Sequence, residues 1–169
     1  ARYPDYDPAN PYGGGYLYVD LYADGSPASM YEEGHGEKDR FFCHDPRLAT
    51  WSRIEEVELF IYPRYNWVND IVRIKSYDAD TGEVVLTEPC TYPIYPGDRF
   101  YFRNVREELT APGEWHLDRG ADVLYVRSNR PLDDAVVTAP AVEDLLGVED
   151  ASRSGAQARA PAECERGYL

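Results

Sequence analysis

Apolar and polar residues alternate along this chain in short stretches, and no stretch sustains a long helical period. A period of two puts alternate side chains on one face, so such stretches read as half-buried strands. Residues 16–22 (YLYVDLY), 56–62 (EVELFIY), 67–77 (WVNDIVRIKSY), 83–88 (EVVLTE), 99–104 (RFYFRN), 114–118 (EWHLD) and 122–128 (DVLYVRS) fit this template. In 56–62 the residues Val57, Leu59 and Ile61 fall on one face. Residues 39–44 (DRFFCH) add a short strand, and 135–139 are a last candidate.

The breaks between these stretches carry turn chemistry. Asp45-Pro46 turns the chain, because the residue before proline avoids the helical region. Asp78-Ala79-Asp80-Thr81-Gly82 predicts a hairpin between 67–77 and 83–88. Pro96-Gly97-Asp98 and Arg119-Gly120 predict two more turns, residues 23–38 read as a loop, and 105–109 as one helical turn. Many short strands at close spacing predict an all-β fold, a compact β-sandwich or barrel. An irregular, Pro- and Gly-punctuated arm over 1–15 precedes a domain over 16–142, and an irregular or helical tail over 143–169 follows it.

Charge narrows the partners. The 169 residues include 17 basic and 31 acidic side chains, a formal net charge of −14. Binding to phosphate backbones or anionic membrane surfaces needs clustered Lys and Arg, so neither nucleic acid nor membrane is expected as a partner. No apolar run is long enough to span a bilayer, and the first residues do not read as a signal peptide. The apolar content leans on rings, with 15 Tyr, 5 Phe and 3 Trp against one Met. Tyr and Trp join an apolar face to a polar tip, which suits half-buried strands and wet binding surfaces alike.

Three cysteines, Cys43, Cys90 and Cys164, show no metal or redox spacing. Buried free thiols are the expectation for Cys43 and Cys90, with a single bridge between them as the alternative. His35, His44 and His116 are dispersed, and no serine or cysteine stands in a nucleophile context, so nucleophilic catalysis has no support. The 78–83 run fails the EF-hand pattern because its fifth position is Gly82. No metal site and no cofactor are predicted, although an all-oxygen calcium site elsewhere would suit so acidic a chain.

The densest candidate is Tyr62-Pro63-Arg64-Tyr65-Asn66-Trp67, followed by Asp70. Sugar rings present C–H faces that stack on Trp and Tyr, while Arg, Asn and Asp hydrogen-bond hydroxyls. The competing reading is that Tyr65 and Trp67 plug one end of the β-domain. A second aromatic group, Tyr3, Tyr6, Tyr12, Tyr16 and Tyr18, offers either a platform or simple packing of the arm. Glycoside hydrolysis would need two carboxylates at about 5–5.5 Å or 6.5–9.5 Å. Asp70, Glu88, Glu114 and Asp118 are the candidates, but Glu114 and Asp118 would stand about 13 Å apart along an extended strand and cannot form a local pair.

Several runs, in order, resemble a region of bacterial right-handed parallel β-helix proteins of the carbohydrate-active kind. They are Ala1-Arg2-Tyr3-Pro4, Phe42-Cys43-His44-Asp45-Pro46-Arg47 with Trp51, and Trp67 with 71–77 and 82–86. The strongest runs follow: Tyr101-Phe102-Arg103-Asn104, Glu107-Glu108-Leu109, Pro112-Gly113-Glu114-Trp115-His116-Leu117-Asp118 and Leu124-Tyr125. The resemblance covers about residues 1 to 140 and implies the β-domain that those proteins insert. The family includes glycoside hydrolases acting on xylosides, fucosides and galactosides. Its catalytic carboxylates lie on later β-helix coils, so it assigns no catalytic residue here.

Together these readings predict a carbohydrate-recognition or accessory domain associated with plant or microbial polysaccharide degradation. It is expected to be extracellular or periplasmic, with an oligo- or polysaccharide as partner. Stacking falls to Tyr62, Tyr65 and Trp67, and hydroxyl contacts to Arg64, Asn66 and Asp70. A small glycoside hydrolase and a structural or oligomerisation insert are the alternatives.

Overall fold

A computed structural model describes residues 1–10, 14–20, 36–132 and 136. The chain divides into two units, Ala1–Pro131 and Leu132–Leu169, and every element described below belongs to the first. Among the described residues nine strands form, and no helix exceeds a single 3-10 turn. The strands are β1 (Arg2–Tyr3), β2 (Leu17–Tyr18), β3 (Arg40–Phe42), β4 (Glu58–Ile61), β5 (Asp70–Tyr77), β6 (Glu83–Leu86), β7 (Arg99–Arg103), β8 (Trp115–Asp118) and β9 (Val123–Val126).

The all-β expectation holds. Seven strands make one antiparallel sheet in the order β1-β7-β4-β5-β6-β3, with β2 also pairing β7; β8 and β9 make a separate hairpin. The first half of β5 pairs β4 and its second half pairs β6, and within the β5–β6 ladder the register shifts between Ile74 and Ser76. The sheet curls enough for Phe41 of β3 to meet Phe100 of β7 at 5.0 Å between ring centres.

The curl encloses the core. Leu59, Ile61, Val72, Ile74, Phe100 and Phe102 point inward from β4, β5 and β7, and all are buried. Trp51 packs edge-on against Phe102 at 5.1 Å and closes one end, with its Nε1–H donated to Glu108 at 3.1 Å. Cys43 and Cys90 are free and buried, and burial pushes their thiols up to about 11 and about 12.

Several local expectations shift. Arg2–Tyr3, placed in the arm, form β1 and pair β7, while the 16–22 run shortens to Leu17–Tyr18 among the described residues. The start of 56–62 is not strand, because a 3-10 turn occupies Ile54–Glu56. Residues 105–109 form no helix; Leu109 N–H closes a turn onto Arg106 O. The 78–82 turn is as expected, with Asp78 Oδ1 accepting from Asp80 N–H and Thr81 N–H, and Gly82 at φ 76°. Tyr12, His35, most of 23–38, most of 135–139 and the whole tail with Cys164 lie outside the described residues.

Candidate functional site

The β4–β5 connection is held from below by one carboxylate. Asp98 is buried, and its Oδ2 accepts Arg64 N–H at 2.8 Å and Tyr95 N–H at 2.7 Å. Burial pushes its carboxyl up to about 6, against these two bonds and the Arg64 charge. Arg64 takes φ 61°, a left-handed conformation that reverses the chain after Pro63 ends β4. Tyr65 N–H then bonds Pro63 O and Val68 N–H bonds Tyr65 O, so 65–68 is a turn and β5 starts only at Asp70.

This turn lifts the aromatic residues out of the sheet. Trp67 is 75% exposed and Tyr65 37%. Their rings are stacked at 5.5 Å with planes 21° apart, and Tyr92 meets Tyr65 edge-on at 5.2 Å. The result is a pillar: Tyr92 braces Tyr65, Tyr65 braces Trp67, and the remaining indole surface faces solvent. Arg64 anchors the base, donating Nε–H to Tyr65 OH at 2.9 Å and Nη1–H to Tyr95 OH at 2.8 Å. Trp67 is therefore no plug of the β-domain.

The other predicted residues divide. Asn66 is exposed on the same turn, and its carbonyl accepts from Arg99 Nη2 at 3.5 Å. Tyr62 lies where the sheet meets the turn, with Arg99 Cζ 4.1 Å from its ring centre. Asp70 is engaged by the fold: its two oxygens accept Thr91 N–H at 2.9 Å and Thr91 Oγ1–H at 2.8 Å. The described early tyrosines divide, although Tyr6 and Tyr16 both flank the Arg2 guanidinium. Tyr3 points to Trp51 and Asp45, Tyr16 packs on Tyr62 and Tyr101, and Tyr6 and Tyr18 are exposed.

The four candidate acids do not gather. Glu88 is exposed. Glu114 caps the turn before β8, accepting Thr110 N–H and Ala111 N–H at 2.7 and 2.6 Å. A cleft of about 190 Å³ beside it is also lined by Arg2, Arg103, Asn104 and Trp115, with no second carboxylate. Asp118 is buried, and its carboxyl is held below the usual range by Ala121 N–H, against burial and with help from Arg53.

A buried polar group that the sequence did not single out surrounds Asp118. Arg53 spans Asp118 at 2.5 Å and Glu56 at 2.7 Å. Asn104, at φ 59°, donates Nδ2–H to Glu56 O and Leu117 O, and accepts Leu117 N–H on Oδ1. Its amide thus stands in for one residue of a strand partner to β8. His116 is 1% exposed, and its Nδ1–H donates to Asn104 O at 3.1 Å. Burial lowers its pKa, against that bond, and a neutral ring leaves Nε2 bare, 3.6 Å from Glu56 Oε2. These groups join the β8–β9 hairpin to the sheet, and of them only Asn104 lines the cleft beside Glu114.

Among the described residues no three His, Cys, Asp or Glu side chains gather as a metal ion would need. Nor is any described helix long and apolar enough to cross a membrane. Comparison with protein-family models, curated proteins and solved structures found no match to this chain.

Proposed function

We propose that this domain recognises carbohydrate on the 62–67 turn, as an accessory domain beside polysaccharide breakdown. The observation that carries the reading is Trp67, three-quarters exposed yet held in place by Tyr65, Tyr92 and the Asp98-anchored backbone. A large apolar ring left in water on a braced turn gains nothing for the fold and is suited to a ligand. The negative face of the indole attracts the polarised C–H groups of a pyranose. Asn66, Arg64 and Tyr65 OH supply polar atoms around it. The resemblance in motif order to β-helix carbohydrate-active proteins supports the same reading. Trp67→Ala should abolish retardation in glycan affinity electrophoresis while leaving the unfolding midpoint unchanged; retention of binding would refute the site.

A second face supports the alternative of a structural insert. The pairs Trp115–Val126 and Leu117–Leu124 share one side of the β8–β9 hairpin. Trp115, Leu124 and Val126 are 50%, 48% and 43% exposed. Concentration-dependent association removed by Leu124→Lys, with no glycan bound, would favour that reading. The hydrolase alternative has no comparable support, since its candidate acids are dispersed or held by backbone and arginine.

A further inference from the structure

The outward face of the sheet departs from the charge of the chain. The pairing register places Arg2, Arg73, Arg99 and Arg103 on that side with Glu58, around the rings of Phe60 and Tyr101. In a protein with 31 acids and 17 bases, these β1, β4, β5 and β7 positions carry four arginines and a single carboxylate. That carboxylate, Glu58, is already shared by Arg103 at 2.7 Å and Arg119 at 2.5 Å. Arg2, Arg73 and Arg99 have no ion pair among the described residues.

Two of these cations are set among rings. Arg2 Cζ lies 3.9 Å from the Tyr101 centre and 5.4 Å from Tyr16; Arg99 Cζ lies 4.1 Å from Tyr62 and 5.0 Å from the same Tyr16. Tyr16 therefore joins the two guanidiniums into one group. The Nε atoms of Arg2 and Arg99 are buried beneath these rings without an acceptor among the described residues, and Arg2 Nη2–H donates to Gly15 O, so what the two side chains offer a ligand is their remaining Nη–H groups and their charge. Phe60 stacks on Tyr101 at 4.7 Å, and its strand partner Ile71 is 48% exposed. Arg99 also bonds the Asn66 carbonyl, so this face continues into the turn that bears Trp67.

We propose that the glycan bound here is acidic, a saccharide bearing uronic-acid carboxylates. The inference rests on the carbohydrate reading of the 62–67 turn and names its ligand class. Trp67, backed by Tyr65, takes the C–H face of one ring, and Arg99, Arg2 and Arg73 attract carboxylates of neighbouring rings. A guanidinium N–H gives a carboxylate a charge-assisted bond, and the rings beside Arg2 and Arg99 hold those two cations in place. A neutral glycan would leave three cations uncompensated. At physiological salt the Debye length is about 8 Å, so the ligand feels this face while more distant acids are screened.

The test uses oligogalacturonides, their full methyl esters and neutral galacto-oligosaccharides, titrated calorimetrically at physiological salt. The acid form should bind about tenfold or more tighter than the ester, as loss of charge-assisted bonds predicts. Arg99→Gln should erase that preference. Arg73→Gln, at an exposed position, should reduce it with no effect on folding. Equal affinity for acid and ester overturns the inference, and does so without touching the carbohydrate reading if Trp67→Ala abolishes both. An acid preference that survives Trp67→Ala overturns the turn as platform and keeps the arginine face. Equal binding of polyglutamate overturns the saccharide assignment, and no binding of any ligand overturns both.

Discussion

Asn104 should govern the attachment of the β8–β9 hairpin, and its replacement has a magnitude that follows from its bonds. The side chain makes three hydrogen bonds, to Glu56 O at 3.1 Å, Leu117 O at 3.0 Å and from Leu117 N–H at 2.8 Å. Asn104→Gly keeps the φ of 59° unstrained but deletes all three. A buried polar group left without its partner costs about 1–3 kcal/mol. The cleft beside Asn104 admits water, which offsets part of this, so the total should be about 3 kcal/mol. Asn104→Ala loses the same bonds and adds about 1 kcal/mol for a Cβ in the left-handed region. Urea unfolding followed by far-UV circular dichroism measures both changes. The ordering wild type, then Gly, then Ala is the signature. A loss below about 1 kcal/mol in Asn104→Gly would show that these bonds do not hold the hairpin, and an Ala variant as stable as the Gly variant would refute the backbone argument.

Two other outcomes follow from the same geometry. Acrylamide should quench Trp67 and Trp115 readily and leave Trp51 protected, so Trp67→Phe should remove a large part of the quenchable emission; an unchanged quenchable fraction would mean that the indole is covered. Asp98 has a folded-state pKa of about 6, raised from 3.8. Its linkage favours the fold fully below 3.8, and that advantage is lost as pH rises to about 6. Asp98→Asn has no such loss, so its stability relative to wild type should climb between those pH values and stay level above; a flat difference would refute a raised carboxyl.

What the sequence made legible was local. Alternation in Leu59 and Ile61 identified the inward face of β4, and Asp78 with Gly82 identified the hairpin turn, because side-chain direction and φ are properties of a few adjacent residues. What it hid depends on partners far along the chain. Arg2–Tyr3 become a strand only because the β7 edge is open to them. Glu56 and Asp118 can be buried because Arg53 binds both, and Asp118 lies 65 positions beyond that arginine. Neither local run carries a sign of the pairing.

The candidate site was half legible. The density of rings and polar side chains in 62–67 pointed to it, but alternation carried Trp67 into a strand that begins only at Asp70. Asp98 and Tyr92, which brace the turn, gave only weak signals: an acid after Pro-Gly and one tyrosine among fifteen. The outward arginine face appears only when the register of four strands is known, since its members are spread from Arg2 to Arg103.

The most direct test of recognition without bond cleavage is one glycan panel assayed twice on the same purified protein. Calorimetry would report binding of xylan, glucan, mannan, galactan and polygalacturonate, and reducing-sugar release would report hydrolysis after long incubation. Binding to at least one polymer, lost in Trp67→Ala and accompanied by no release, is the expected result. Release abolished by a single Glu or Asp substitution would contradict recognition alone, and so would silence in both arms.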